Sequence, residues 1–117
     1  MKTKKKFFME CRLAGRKYHD ADEVWPELKV GTKLALERDW ENRYDPQAVA
    51  VTYTNDADTY LLGYVPRDEN EVLASLLDMG WDQIFETRIS RITPDAPADN
   101  QVQLTIRIVR NPAIVNN

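Results

Sequence analysis

The sequence predicts a mainly-β domain with small α content, a curled antiparallel sheet or barrel covered by one clear capping helix. Three observations carry this. Val102, Leu104, Ile106 and Ile108 alternate with Gln103, Thr105, Arg107 and Val109, the period of a strand with one buried face. Val49, Val51 and Tyr53 repeat the pattern after a polar turn, and only residues 69–79 carry helical spacing. Antiparallel runs with uneven connections and one short helix fit a curled sheet or barrel better than a βαβ layer, and the pattern allows an oligonucleotide-binding-like (OB-like) barrel without fixing its topology.

Along the chain, residues 7–13 form the first expected strand, with Phe7, Met9, Cys11 and Leu13 on one face. Cys11 is expected as a buried thiol. Residues 14–31 form a long excursion pinned by Trp25, Pro26 and Leu28, with Pro26 opposing strand continuity. Leu34 and Leu36 mark a second strand that ends near Arg38. Residues 49–53 and 59–65 read as a hairpin joined by residues 55–58. Gly63 within its second arm suggests a bulge or a close backbone approach.

Asp68 is the expected N-cap of the helix. Val72 with Leu76 and Leu73 with Leu77 supply its apolar spacing, and Gly80 its stop. A helix this short needs burial for stability, so its apolar face is expected against the sheet. Residues 83–92 form the next strand with an ambiguous register: Phe85, Thr87, Ile89 and Arg91 oppose Ile84, Glu86, Arg88 and Ser90, and Ile92 breaks the alternation. Residues 101–109 form the last.

Composition narrows the function. One domain is expected for 117 residues, and a single cysteine leaves no internal disulfide framework. The basic start at residues 1–6 is not followed by an adequate apolar segment, and no stretch approaches membrane-spanning length, so a cytoplasmic protein without membrane partners is expected. With 16 basic and 19 acidic residues the net charge is −3, which argues against indiscriminate attraction to long duplex DNA. Arg12, Arg16, Lys17, Lys33, Arg38, Arg43 and Arg67 all precede the expected helix, so local focusing on one face is allowed.

The most informative stretch runs from Leu34 through Trp40, Asn42, Arg43, Tyr44, Asp45 and Pro46 to Val51, followed by Gly63, Tyr64, Val65, Pro66 and Arg67. It sets an aromatic, a carboxylate and arginines on turns between strands, where binding residues concentrate. On these residues, together with Leu36, Arg38 and residues 48–51, the chain resembles the HIRAN domain family, modules found alone in bacteria and attached to helicase proteins in eukaryotes. The likeness runs over residues 8–110, which leaves residues 1–7 as a basic N-terminal tail and 111–117 as a flexible C-terminal tail.

The resemblance implies an OB-like β-barrel that binds single-stranded DNA at its 3′ end. It implies no catalysis, because the helicase and ATPase activities of family-containing proteins belong to other domains. Tyr44 and Asp45 match the family's turn pair, for stacking on the terminal nucleotide and recognition of its hydroxyl. Arg16 lies near the family's arginine and aromatic contact element; Lys17 stands where the aromatic is expected and Tyr18 follows it. Tyr64 and Arg67 match positions at the strand end, and Arg43 stands where the family frequently has proline. Each residue also has a plain reading. Tyr44 can pack on the core edge, Asp45 beside Pro46 can simply fix the turn, Arg43 can pair with Glu41, and Trp40 favours stacking only if exposed.

No metal or other cofactor is expected. His19 with Asp20 and Asp22 reads as a solvated turn, since a catalytic metal needs converging ligands. The expected partners are short single-stranded DNA or a DNA 3′ end, with a protein partner in DNA processing. The competing class is a protein-interaction or self-assembly module.

Overall fold

A computed structural model describes residues 4–113. The rest of the expected tails, residues 1–3 and 114–117, lies outside the described residues. Six strands are present: β1 (Lys5–Arg12), β2 (Lys33–Arg38), β3 (Val49–Thr54), β4 (Thr59–Tyr64), β5 (Phe85–Ile92) and β6 (Val102–Val109). Two helices join them, α1 (Ala21–Val24) and α2 (Glu71–Asp78), with 3-10 turns at Arg16–Tyr18, Trp25–Glu27 and Ala98–Asn100. β1 takes in the last three residues of the expected basic tail, and Arg110 N donates to Lys4 O at 2.7 Å.

All strand pairs are antiparallel, in the order β1-β6-β5-β2-β3-β4. The expected OB-like β-barrel is not formed. A barrel needs the edge strands to pair along their length. β1 and β4 remain the two edges of an open sheet, linked by one bridge between Ala14 and Tyr64. One acceptor on the β4 edge is taken by the excursion after β1, where Asp20 N donates to Leu61 O at 2.8 Å. On the other side, β2 leaves β5 after only two residue pairs, Lys33 with Arg88 and Leu34 with Thr87. A groove of about 500 Å³ opens between them beyond that point, so the halves β1-β6-β5 and β2-β3-β4 do not roll into a continuous wall.

The strand periods place the core as expected, with corrections where a bulge intervenes. Val102, Leu104 and Ile106 are buried together with Leu13, Val49, Val51, Leu62 and Ile89. In β1 the pairing slips between Phe7 and Met9, so Phe7 turns outward while Phe8 packs on the core. A single face shared by Phe7, Met9, Cys11 and Leu13 is therefore broken at its first member. Cys11 is buried, and burial, ahead of the nearby Glu69 charge, pushes its thiol up to about 12, which leaves an inert thiol.

In β5 a second slip lies between Ile89 and Arg91. It resolves the ambiguous register: Thr87 and Ile89 face inward, the bulge absorbs Ser90, and Ile92 then packs against the core again. The expected bulge near Gly63 is present, the pairing slipping where Val51 meets Gly63 and Thr52 meets Leu61.

α2 presents Leu73, Ala74 and Leu77 to the core and leaves Val72 exposed. Gly80 ends it at φ +86°, a left-handed position that favours glycine. Asp68 is not the N-cap; Asn70 is, and its side chain makes no capping bond. Glu69 N instead closes a turn onto Pro66 O, which delays the helix to Glu71.

Candidate functional site

The β2–β3 connection, residues 39–48, is a loop by composition and a rigid platform by bonding. Asn42 Oδ1 accepts from the backbone N–H of Tyr44 at 2.9 Å and of Asp45 at 3.0 Å, an Asx turn that fixes both residues. Asp39 N donates to Ala48 O and Ala48 N to Asp45 O. Arg38 clamps the loop from below, donating to Ala48 O at 2.6 Å, Pro46 O at 2.8 Å and Asp78 Oδ1 of α2 at 2.6 Å. That arginine is almost wholly buried in these contacts, a structural role rather than a ligand contact.

On this platform Tyr44 is 85% exposed, its ring projecting from a backbone that Asn42 anchors. Asp45 is half-buried, with Oδ2 accepting from Asn70 Nδ2 at 2.8 Å and Oδ1 from Gln47 N at 2.9 Å. Each carboxylate oxygen retains a lone pair, so Asp45 can take another donor without giving up either bond. Asn70 is fully buried, which makes the link to α2 part of the core. Trp40 is 69% exposed with the Arg38 guanidinium 4.3 Å from its ring centre, the exposed arrangement that favours stacking.

Tyr64 reaches the same loop from β4. Its hydroxyl donates to Asp39 Oδ2 at 2.6 Å, and its ring meets the His19 ring edge-on at 5.4 Å between centroids. Burial first, and then the bond to Asp39, raises the phenol above the ordinary tyrosine range. A phenol raised in the folded state stabilises the fold fully below its unfolded value, and that contribution is lost as pH rises through the folded value. Tyr64→Phe is expected to lower the thermal midpoint at neutral pH and to flatten its decline above pH about 10. Melts across that range check this; parallel declines in the two proteins would refute it.

The remaining candidates divide. Arg43 and Arg67 are exposed, and neither has an ion-pair partner among the described residues; the Arg43–Glu41 pair is not formed. Lys17 and Tyr18 are exposed and lie together, the ammonium 5.0 Å from the ring centre. Arg16 is neither solvated nor free: it is buried, with Nη2 on Asp22 at 2.8 Å and its guanidinium 4.1 Å from the Trp25 ring centre. Its Nε is buried without a partner.

The tertiary structure thus joins Tyr64, Asp39, Asn42, Tyr44, Asp45 and Asn70 in one chain of contacts. Asp39 and Asn70 are its members that sequence reasoning passed over, and His19, expected in a solvated turn, packs its ring on Tyr64. Asn42 and Asp45 carried an Asx-turn signal. The pairing of His19 with Tyr64 had none, because it depends on how the excursion folds back. Among the described residues, no three His, Cys, Asp or Glu side chains converge as metal ligands. The arrangement offers an aromatic face, a fixed acceptor and uncompensated cations.

A family model described as the HIRAN domain matches residues 6–109. Two plant proteins, both named Fanconi-associated nuclease 1 homolog, are similar in sequence. The rice protein is 39% identical over 66 residues, 56% of this chain, and the Arabidopsis thaliana protein 30% identical over 101 residues, 86% of this chain. The chain spans only 6% and 10% of their respective lengths. In fold it is similar to a crystal structure of a protein from Lactobacillus plantarum, with TM-score 0.73 and 23% identity, covering 92% of this chain and 97% of that one. It is also similar to the crystal structure of the HIRAN domain of human HLTF, with TM-score 0.58 and 19% identity, covering 91% of this chain and 81% of that one.

Proposed function

Because this chain belongs to the HIRAN domain family, we propose that it recognises the free 3′ end of single-stranded DNA through the platform of residues 39–48. At family level it is a nucleic-acid-binding module and not an enzyme. The finer reading assigns Tyr44 to stacking on the terminal base, Asp45 to accepting a hydrogen bond from the terminal hydroxyl, and Arg43 and Arg67 to phosphates. Lys17 and Tyr18 extend the surface along the strand.

The observation that carries this reading is the contrast between Tyr44 and Asp45. One ring is left open on a loop whose backbone is bonded at Tyr44 and Asp45 themselves, and the adjacent carboxylate is held at both oxygens with capacity to spare. A group positioned before the ligand arrives loses little freedom on binding. The nuclease names of the plant relatives suggest the setting, an end-binding module working beside DNA-processing activity supplied by another domain or a partner.

Fluorescence anisotropy at low salt with short strands bearing a free or a phosphate-blocked 3′ end tests the reading. Wild type should prefer the free end, and Asp45→Asn should bind both more nearly alike. Equal wild-type affinity for the two strands would rule out hydroxyl recognition.

One observation favours a second reading, a protein-interaction or self-assembly module: Val72, Met79 and Trp81 are exposed on and just after α2. Self-association that persists at high salt and is lost in Trp81→Ser would support it, since apolar contacts are not screened as charges are.

A further inference from the structure

We propose that the outer face of the β1-β6-β5 half-sheet is a second nucleic-acid surface, a track for the backbone of single-stranded DNA that does not depend on a free 3′ end. It rests on the reading above only in taking nucleic acid as the ligand. Residues paired across antiparallel strands share a face. The pairs Lys5 with Val109, Phe7 with Arg107 and Arg12 with Gln103, then Arg107 with Glu86, Thr105 with Arg88 and Gln103 with Arg91, therefore define one surface, which Lys33 opposite Arg88 extends into β2.

This surface has a charge opposite to that of the whole molecule. The chain carries −3, yet Lys5, Arg12, Lys33, Arg88, Arg91 and Arg107 face out here against three carboxylates, Glu10 and Glu86 and, further along β2, Glu37. Glu86 is taken up by Lys5 and Arg88, and chiefly the Lys5 bond holds its carboxyl below the usual range. Glu10 accepts from Gln103 and Thr105, which are neutral. Arg91 spends Nε and Nη2 on the neutral Gln103 Oε1 and so keeps its full charge. Arg12, Lys33 and Arg107 have no ion-pair partner among the described residues.

Two features point to nucleic acid rather than an acidic peptide. The β1 bulge turns Phe7 out until it is 64% exposed, an apolar ring on a charged face with a free surface for a base. A depression of about 350 Å³ is lined by Arg88, Thr105 and Arg107, and the Glu86 carboxylate that shares its wall is already paired with Lys5 and Arg88. The unpaired Arg107 at its rim suits a phosphate. A peptide would more naturally add to the free edge of β1 through its backbone.

The test is anisotropy of a single strand of roughly fifteen thymidines with a 3′-phosphate, titrated over a range of salt. Wild type should bind at low salt. The double variant Arg12→Gln, Arg107→Gln should bind at least about tenfold more weakly, and its salt slope should be shallower by about 1.4, the value for two lost single-strand phosphate contacts. Neither residue has a side-chain bond among the described residues, so the double variant should fold, and its preference for short free-3′ strands should persist.

Equal binding of the blocked strand by wild type and the double variant overturns the proposal. So does wild type that holds a polyglutamate peptide but not the strand, which would assign the face to an acidic protein. Retained binding of the blocked strand with no discrimination between short free and blocked ends would sink end recognition and leave this surface standing.

Discussion

Tyr44→Ala is expected to weaken binding of a short free-3′ strand by roughly 5- to 150-fold and to leave the thermal midpoint unchanged. The magnitude follows from the stacking of one base on an aromatic ring, about 1 to 3 kcal/mol. The separation of binding from stability follows from where the residue's bonds lie. Its backbone N–H is held by Asn42, and its ring is almost wholly in solvent, so alanine removes no packing. Tyr44→Phe should bind like wild type, because stacking uses the ring face and the hydroxyl has no assigned role. A parallel fall in affinity and thermal midpoint in Tyr44→Ala would mean that the ring belongs to the fold.

Gly63→Val is expected to cost about 3 kcal/mol of folding stability, read by urea unfolding. A Cβ at this position would lie 2.5 Å from the Ala14 carbonyl oxygen and 3.0 Å from Leu13 Cδ1. The carbonyl cannot retreat freely, because Ala14 and Tyr64 exchange backbone hydrogen bonds at 2.8 and 2.9 Å. Those bonds are the only bridge between the end of β1 and β4 among the described residues, and both partners sit beside binding elements: Tyr64 reaches Asp39, and Ala14 leads into Arg16–Tyr18. Breaking the bridge should therefore loosen the site as well as the fold. Even Gly63→Ala meets the same oxygen, so a loss smaller than about 0.5 kcal/mol in that variant would show the approach to be soft.

Gly63 was legible before the fold was known, because a glycine interrupting an apolar strand has few reasons to be there. The alternation of Val102, Leu104 and Ile106, the spacing of Leu73 and Leu77 and the stop at Gly80 were legible for the same reason: each is a local rule with a local cause. The helix start was not. Asp68 has the chemistry of a cap, but Asn70 holds the position and commits its side chain to Asp45, a residue far away in sequence.

The resemblance of the turn residues pointed to the family; by itself the sequence determined a mainly-β antiparallel domain, the order and most of the span of its strands, and a turn at Tyr44 and Asp45. These depend on residue type and short spacing. Only the tertiary structure decided that the sheet stays open rather than closing as a barrel. Closure depends on which backbone groups remain free at two edges, and here Asp20 takes Leu61 while β2 leaves β5 after Leu34.

The tertiary structure also decided that Phe7 faces out and Ile92 in, since one extra residue in a strand reverses every side chain beyond it. It moved Arg16 from a loop charge to a buried partner of Asp22 and Trp25, and it brought His19 and Asp39 to Tyr64. Such pairings join segments whose separation along the chain carries no period, so no spacing in the sequence can announce them.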